Sequence, residues 1–469
     1  MGLADVGHIE EMWFPVGRPL LLAQLNVVDA LLAAPLVVLF GAARGTALFV
    51  VLTLASNALA GGWLASKVNP SAAARLAGAL VLGFCPFVAD ELEFGRYTQV
   101  WLAPTAVAVG LAWKAAQGER RAAIMTGLAL AFAGYHYWFY GAFAAVVVAG
   151  VMLGRGGGRQ LAVVAATSLV AAAPFLIYVG IAWANVPAAG TPPHFPCQTS
   201  LLGGIPGLES ARLGVYLPQL LILAVVPACL GPKRGGVVGA ALAGAFLLSV
   251  AFGEFVKVAG VTFAMPYHAL VSVPFFDRFW WPQRALGAVT VAAVVPLAAL
   301  AARGPLWGFA AVAIAAVSAA QAVRAPGPPH QWSLAEAPAW HRALPPGPVL
   351  ILPMTQEAAG RKAFREWPSH QRALVNGMSM WTPDLWPPEF RTWTEQQPLV
   401  SALLIAERGV ATQVTAASAT SLWNAGIVGV IATSATSRTE LGVMRAALGE
   451  GACEAGTCWW VRPLEGSAR

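Results

Sequence analysis

Three short segments of the chain concentrate side chains that can do acid–base or anion-binding chemistry. Carboxylates can accept a proton from a hydroxyl or bind a divalent cation, and guanidinium groups bind phosphate through two parallel hydrogen bonds. The segments are DELEFGRYTQVW (90–101), GYHYWFYG (134–141) and PFFDRFWWPQR (274–284). Their candidate substrate-binding residues are Asp90, Glu91, Glu93, Arg96, Tyr97, His136, Tyr137, Asp277, Arg278 and Arg284.

A purely structural role is the alternative for each segment. Trp and Tyr gather at membrane–water interfaces, Arg near a helix end can extend its head to water, and acids at a helix end can simply be solvated. The segment 274–284 differs because Asp277, Arg278 and Arg284 crowd one apolar stretch. Ionisable groups at membrane depth are costly and usually face a cavity or a partner, so this segment favours a binding site most.

The composition excludes a chain of water-soluble domains. The 469 residues are 58% hydrophobic and 11% charged, against about 45–50% and about 25% in soluble domains. So much apolar surface also excludes disorder. The net charge of +7 is explained by short basic cytoplasmic loops of a membrane protein, and we expect no nucleic-acid partner. Membrane lipids are the expected surroundings.

Apolar stretches predict an α-helical polytopic membrane domain of about ten transmembrane helices, followed by a small α/β extracytoplasmic domain. A bilayer core of about 30 Å needs about 20 apolar residues, and shorter stretches can tilt. The predicted domains are an outer loop over 1–43, a transmembrane domain over 44–323 and a C-terminal domain over 324–469. The predicted spans are 44–66, 72–88, 100–116, 122–137, 139–153, 161–183, 214–231, 237–255, 285–302 and 306–323.

Charge orients these spans. If the first span starts outside, one side of the membrane receives very short loops in which nearly every charged residue is basic. Lys and Arg in short loops mark the cytoplasm. The expected location is therefore the cell inner (plasma) membrane, with both the helix ends of the three segments and the C-terminal domain extracytoplasmic. The loop residues are Lys67, Lys114, Glu119, Arg120, Arg121, Arg155, Arg159, Lys233, Arg234 and Arg303.

The amino-terminal residues do not fit a simple outer loop. The stretch 18–40 is apolar but contains Arg18, Asn26 and Asp29, which predicts an interfacial or re-entrant segment. Nothing in residues 1–43 reads as a signal peptide that would carry them outside. We therefore expect a further membrane helix to be encoded upstream of Met1.

The carboxyl-terminal part reads as a small α/β domain. Buried strands are predicted at 348–354 and 425–433, a helix stopped by Gly409 at 399–409, and a last strand at 457–463. Cys453 and Cys458 could close a hairpin disulfide in an oxidising compartment, or remain thiols. No phosphate-binding glycine loop, HExxH or CxxC motif occurs anywhere in the chain.

The order of several motifs resembles the large bacterial group of polytopic GT-C-type glycosyltransferases. WFPVG (13–17) precedes NVVDALLAAPLVVLFG (26–41) and FGRYTQVWLAP (94–104), and GYHYWFYG and PFFDRFWWPQR follow. In the C-terminal part, VLILP (349–353) and HQRALVNG (370–377) are similar to the "V-L-x-L-P … H-x-x-x-l-v-n-G" signature of many members. Each motif is short, but together the motifs extend over most of the chain.

This resemblance implies transfer of a sugar from a polyprenyl-phosphate donor to a glycan or lipid acceptor of the cell envelope, on the outer face of the membrane. The general base of the family is typically an acid in the first outer loop, well upstream of the "yP-x-G" segment. Only thirteen residues precede Phe14-Pro15 here, and Asp5 is the nearest candidate for the catalytic acid. The resemblance fixes no cofactor, and a divalent cation is one candidate, because Asp90, Glu91 and Glu93 could bind either a metal ion or the acceptor.

Two other classes of function remain open at the sequence level. A catalytically inactive membrane scaffold of envelope polysaccharide assembly would keep the same helices and lack the base. A transporter would show repeated halves and broken helices at the midplane. The sequence shows neither feature, and its acids cluster at helix ends, which disfavours transport.

Overall fold

The chain forms a mostly helical protein of two compact units. The helical unit comprises Leu25–Ile181 and Pro193–Gln331, and the terminal unit comprises Met1–Gln24, Ala182–Pro192 and Trp332–Arg469. The computed structural model describes residues 8–9, 15, 18–19, 27–93, 96–185, 198–200, 228, 234–258, 261–273, 282–324, 338–355, 372–375, 386 and 388–463.

The helices of the helical unit follow the apolar stretches of the sequence. Nine of the ten predicted spans coincide with helices in the described residues, and the tenth, 214–231, lies almost entirely outside them. The helices are α1 (Val27–Val68), α2 (Ala72–Gly83), α3 (Pro86–Glu93), α4 (Tyr97–Val100), α5 (Ala103–Ala115), α6 (Arg120–His136), α7 (Trp138–Gly154), α8 (Gly158–Asn185), α9 (Arg234–Ala251), α10 (Pro266–Leu270), α11 (Ala285–Ala301) and α12 (Pro305–Arg324).

Four stretches among the described residues are long and apolar enough to cross a membrane. They are Val28–Val68, Ala72–Leu92, Gly158–Ile177 and Pro282–Ala301. These helices indicate a membrane-associated protein, whereas ten crossings are not confirmed. The reason is length, because α6 and α7 have 17 residues each and extend only about 25 Å at 1.5 Å per residue.

Two of these stretches lie in opposite environments. Helix α11 is buried along almost its whole length and packs against α1, α2, α7, α9 and α12. Helix α8 instead exposes large apolar side chains, among them Leu169, Val170 and Ile177. A water-soluble surface rarely carries so long an apolar face, so the exposed face of α8 is the kind of surface that lipid covers.

Glycine pairs bring helices of the unit into backbone contact. A Cβ atom on Gly239 of α9 would meet the carbonyl oxygen of Gly150 of α7, and one on Gly235 would meet that of Gly154. Apolar side chains gain little by leaving lipid, so helices in lipid associate through such close packing of small residues. The glycines of α7 and α9 therefore hold these two helices together.

Helix α1 begins earlier than the sequence predicts and consists of two helical halves. It starts at Val27, not at residue 44, so residues 27–43 of the predicted outer loop are helical. Gly41 separates the halves with φ 77°, a conformation that glycine adopts readily. The bend brings Gly45 against the backbone of Leu36, so the first half folds back along the second.

The predicted span 72–88 lies within the apolar stretch Ala72–Leu92, but it is not one continuous helix. The chain leaves helical geometry at Phe84, which has φ −138°, and helix α3 restarts at Pro86. Proline has no N–H to continue the hydrogen-bond ladder, and its ring clashes with the preceding turn. Hydropathy alone predicts a continuous span here because it takes no account of Pro86.

Short basic connections lie together at one end of the helical unit, the basic end. Arg155 stacks on the ring of Trp113 at 4.2 Å, which joins the α7–α8 turn to the end of α5. Lys67 and Lys114 lie in the last turns of α1 and α5, and Arg155 and Arg303 lie in the loops after α7 and α11. The opposite end, the polar end, is where α6 stops, α7 starts and α11 starts.

A small sheet also belongs to the helical unit. Its strands are β3 (Gln198–Ser200), β4 (Phe255–Val258) and β5 (Val261–Ala264). Strand β3 pairs parallel with β4, and β4 pairs antiparallel with β5 so that Phe255 faces Ala264. The predicted spans 237–255 and 285–302 leave this region as a connection, and the hairpin of β4 and β5 lies mostly within it.

The terminal unit contains a small mixed sheet with helices in its C-terminal part, and it also includes Met1–Gln24 and Ala182–Pro192. Its central sheet has the strand order β6-β7-β9-β8, with β6 parallel to β7 and the other pairs antiparallel. A separate antiparallel pair joins β1 (His8–Ile9) to β2 (Arg18–Pro19). The elements are α13 (Ala339–Ala343), β6 (Val349–Leu352), α14 (Pro388–Gln396), α15 (Pro398–Glu407), α16 (Ala416–Asn424), β7 (Gly429–Ala432), α17 (Arg438–Leu448), β8 (Ala452–Glu454) and β9 (Thr457–Val461).

Strands β6 and β7 are buried on both faces, as their continuous apolar sequences predict. Leu350 and Val430 point into a core formed with α14 to α17. Val349 and Ile431 point into a second core on the other face, with Trp340 of α13. The predicted helix and all three predicted strands are confirmed within a few residues.

The two signature segments VLILP and HQRALVNG meet in this sheet. The Val349 N–H donates to the Ala373 carbonyl at 2.9 Å, and the Val375 N–H donates back to the Val349 carbonyl at 2.9 Å. Cys453 and Cys458 form a disulfide between facing residues of β8 and β9. The first of the two alternatives for this cysteine pair is therefore the one that the structure contains.

The buried guanidinium of Arg372 ties the end of α13 to the sheet. It donates to the carbonyl oxygens of His341 at 3.0 Å, Leu344 at 2.8 Å and Pro345, and its Nε donates to Nδ1 of His341 at 3.0 Å. The carbonyls at a helix end have no partner within the helix. Arg372 supplies donors to them, so His341 must keep Nδ1 unprotonated.

The stability of the terminal unit should depend on the protonation of His341. Burial, and then the charge of Arg372, lower the pKa of this imidazole. The unfolded chain therefore binds more protons below its ordinary pKa of about 6.5. The stability from neutral His341 is present above that value and is lost as pH falls through the lowered pKa.

We expect the unfolding temperature of this unit to fall as the pH drops below about 6.5. Hydrogen exchange of β6 in the full chain follows this unfolding. The fall should be smaller in His341→Gln, whose amide oxygen can accept from Arg372 at any pH. An equal fall in both proteins would contradict this role of His341.

Candidate functional site

A buried polar network lies at the polar end of the helical unit. Its negatively charged residue is Glu91 of α3, and its positively charged residue is Arg284, which directly precedes α11. Both side chains are almost fully buried. Taking either charge out of water costs several kcal/mol unless partners and hydrogen bonds compensate. Each of the two residues therefore supplies the opposite charge that the other needs.

Gln99 bridges Glu91 and Arg284 through its side-chain amide. With its amide oriented to satisfy both neighbours, Nε2 donates to Oε2 of Glu91 at 2.5 Å and the amide oxygen accepts from Arg284 at 3.1 Å. Arg284 also donates to the Tyr137 hydroxyl at 2.5 Å. Arg96 lies 3.6 Å from the Glu91 carboxylate and is partly exposed. One buried carboxylate is therefore approached by two guanidinium groups, with the half-buried Asp90 beside it.

The break between α6 and α7 positions two tyrosines in this network. Tyr137 leaves helical geometry, with φ −152° and ψ 106°, while its N–H still donates to Ala133. Its ring lies 4.9 Å from that of Tyr140, whose hydroxyl donates to the Gln99 carbonyl at 2.6 Å. Both tyrosines belong to the segment 134–141 that the sequence singles out, and both side chains are buried in the bundle.

A second polar pair lies beside the network. Nδ1 of His136 is 2.7 Å from Oδ1 of Asp29, and both side chains are buried. The Trp101 ring meets the His136 ring edge-on at 4.9 Å, and the Tyr140 ring lies 6.3 Å from it. The back-folded first half of α1 therefore contributes an acid to the polar end.

Asn57 of α1 holds the chain break from which Gln99 and Trp101 project. Its amide oxygen accepts from the N–H groups of Leu102 at 2.8 Å and Ala103 at 2.9 Å, and its nitrogen donates to Val100 at 2.7 Å. The first N–H groups of a helix have no partner within the helix. The fully buried Asn57 therefore caps α5 from a neighbouring helix.

The structure brings together five of the eleven residues that the sequence singles out. Glu91, Arg96, Tyr137 and Arg284 share one network, and His136 lies next to it. Tyr97 and Asp90 are half-buried at the ends of α4 and α3, and Glu93 ends α3 with a side chain outside the described part. Asp5, Asp277 and Arg278 lie outside the described residues.

The candidate residues do not include Asp29, Asn57 or Gln99, although Gln99 lies in the segment 90–101 that the sequence singles out. The usable signal was a polar residue inside an apolar run, since such residues in membrane helices usually face a partner. In the sequence, Asp29 indicates only that 18–40 is not a clean membrane span. Within the part of the chain that the structure describes, no three His, Cys, Asp or Glu side chains come close enough to hold a metal ion.

Removal of the Asn57 amide should loosen the polar end. Asn57→Ala leaves two N–H groups and one carbonyl unpaired at a buried position, at about 1–3 kcal/mol for each unpaired group. We expect a loss of about 3 kcal/mol or more in the free energy of unfolding, measured by denaturant titration in mixed micelles.

The matched control is Ser56→Ala, which removes the half-buried 2.9 Å hydrogen bond from Trp101 to Ser56 and should cost about 1 kcal/mol. Equal losses in the two variants would show that Asn57 does not cap α5.

Comparison with known proteins gives no independent indication of function: no protein-family model and no curated protein matches this chain.

Proposed function

We propose that this protein is an integral-membrane glycosyltransferase of the GT-C type, which transfers a sugar from a polyprenyl-phosphate donor to a glycan or lipid acceptor of the cell envelope. The observation that carries the proposal is the buried network in which Gln99 and Tyr137 hold the Arg284 guanidinium beside Glu91. The motif order of the sequence supplies the family, and the network supplies groups suited to its chemistry.

The chemistry that the network suits is departure of a phosphate. When the bond between the sugar and the lipid phosphate breaks, negative charge grows on the leaving oxygen, and positioned donors stabilise it. Arginine is suited to this task because its planar fork matches phosphate oxygens. Arg284 is held in place by Tyr137 and Gln99, and the partly exposed Arg96 supplies a second guanidinium.

The topology of the proposal rests on charge and on the cysteine pair. The basic end carries Lys67, Lys114, Arg155 and Arg303, which would lie in the cytoplasm. The polar end would then face outward across about 25 Å of helix, and ten crossings would place the terminal unit outside too. The Cys453–Cys458 disulfide is the kind of bond that persists in an oxidising compartment.

The alternative is a catalytically inactive membrane scaffold of envelope polysaccharide assembly. It would use the same helices, and its buried network would serve only to fix how they pack. The two functions differ in one measurable property, because only the enzyme binds and consumes a polyprenyl-phosphate sugar.

Labelling of the terminal unit tests the topology. In Cys458→Ser the exposed Cys453 becomes a free thiol, and we expect a membrane-impermeant maleimide to label it in intact spheroplasts. Lys114→Cys, at the basic end, is the control and should react only after the membrane is permeabilised. Labelling of Cys453 that also needs permeabilisation would place the terminal unit in the cytoplasm and contradict the proposal.

Substitution of Arg284 tests the phosphate site. Arg284→Lys keeps the positive charge but loses the fork, and the loss of one charge-assisted hydrogen bond is worth about 1.5–3 kcal/mol. We expect the Kd for radiolabelled polyprenyl-phosphate glucose, mannose or arabinose, whichever the purified protein transfers, to rise about 10- to 100-fold.

Arg303→Lys is the matched control, because Arg303 follows the same helix at its basic end and stacks on Trp307. Its Kd should equal that of the unmodified protein. A protein that binds none of the donors would favour the scaffold.

A further inference from the structure

The Asp29–His136 pair has the geometry of a proton-accepting dyad. The two side chains are 2.7 Å apart, and the His136 ring is completely buried. An ionised carboxylate can only accept, so the hydrogen bond places the imidazole proton on Nδ1. Nε2, on the opposite edge of the ring, then carries the lone pair. The bond made by one ring nitrogen fixes the state of the other.

Nε2 of His136 is buried and has no hydrogen-bond partner among the residues that the structure describes. An unpaired polar atom at such a position is destabilising, and buried polar groups of native proteins are nearly always satisfied. A water molecule or a ligand hydroxyl is the complementary partner, because either donates to a lone pair. Oδ2 of Asp29 is also buried and has no hydrogen-bond partner among the described residues.

The dyad adjoins the proposed phosphate site. Tyr140 lies between them, since its ring is 6.3 Å from that of His136 and 4.9 Å from that of Tyr137. The Tyr137 ring in turn lies 5.6 Å from the Arg284 guanidinium. A transferase needs an anion-stabilising group and a base within one substrate length of each other, and this arrangement satisfies that need.

We propose that His136 is the general base of the reaction and that Asp29 is its positioning residue. The inference rests on the proposed function and deepens it by assigning the proton acceptor. Nε2 takes the proton of an acceptor hydroxyl while its oxygen forms a bond to the anomeric carbon. The bond from that carbon to the donor phosphate breaks, and its electron pair leaves with the polyprenyl phosphate. Asp29 stabilises the resulting imidazolium, which later returns its proton to water or to the departing phosphate.

A structural role for the same pair makes a different prediction. Asp29 lies in the back-folded half of α1, and its bond to His136 also fixes that half against α6. A latch of this kind would affect folding and donor binding together. A dyad affects the rate of transfer while donor binding stays intact, because the donor phosphate is held elsewhere. The ratio of these effects therefore separates the two roles.

The experiment measures transfer and donor binding in proteoliposomes. The donors are radiolabelled polyprenyl-phosphate glucose, mannose and arabinose, and the acceptors are a cell-envelope glycan extract and water, the latter read as release of free sugar. The variants are His136→Gln and Asp29→Asn, which keep the size of the side chains. The control is Tyr135→Phe, which removes the neighbouring hydrogen bond from Tyr135 to the Ala171 carbonyl and leaves the dyad unchanged.

We expect His136→Gln and Asp29→Asn to lower kcat by about 10²- to 10⁴-fold, the usual contribution of general-base catalysis. The KM and Kd for the donor should stay within about threefold, and Tyr135→Phe should behave as the unmodified protein. Unfolding in mixed micelles monitors folding of each variant.

Three outcomes overturn the inference, and they are distinguishable. If His136→Gln retains most of kcat, another group is the base and the proposed transferase stands. If the variants lose donor binding and stability in proportion to kcat, the pair is a structural latch. If the unmodified protein binds no donor or transfers no sugar, the proposed function itself fails and the dyad fails with it.

Discussion

Burial of Arg284 among apolar helices is the constraint on which the polar end depends. A guanidinium always carries its charge, so it can leave water only if acceptors surround it. Gln99 and Tyr137 supply two acceptors, and Glu91 supplies the compensating charge. Loss of one partner from such a pair costs about 3–5 kcal/mol. The helices that carry these residues are therefore fixed relative to one another.

Breaks in the helices of the helical unit also help to place polar groups at the polar end. Apolar helices present side chains, but a polar site also needs free backbone groups and residues that point along the bundle. The chain leaves helical geometry at Phe84, at Tyr137 and between Val100 and Ala103. Asn57 satisfies the backbone groups freed by the last of these breaks. The site thus exists because several helices end at the same level.

Two kinds of chemistry lie side by side at this level. Arg284 and Arg96 can stabilise negative charge, and His136 with Asp29 can accept a proton. A purely structural network would need charge balance and hydrogen bonds, which Glu91 and Gln99 already give Arg284. It would not need a buried imidazole nitrogen without a partner among the described residues. The proposed proton transfer rests on this nitrogen, and the measurements of donor binding and transfer distinguish a transferase from a scaffold.

Hydropathy, charge and strand patterns predicted the helices, the basic end and the strands of the terminal unit, because these depend on residues that are neighbours in the sequence. The run VLILP, for example, favours a buried strand whichever elements pack against it. The same local signals named Glu91, Arg96, His136, Tyr137 and Arg284 as candidates. They could not pair them, since nothing local relates residue 91 to residue 284.

Tertiary structure decided the partners. The left-handed conformation of Gly41 folds α1 back and carries Asp29 to His136, and Pro86 divides a stretch that hydropathy reads as one span. Whether a polar residue is a ligand, a cap or a base depends on which groups meet it after the chain has folded. The sequence by itself therefore determined that polar groups would gather at helix ends, and only the packing of the helices determined which of them touch.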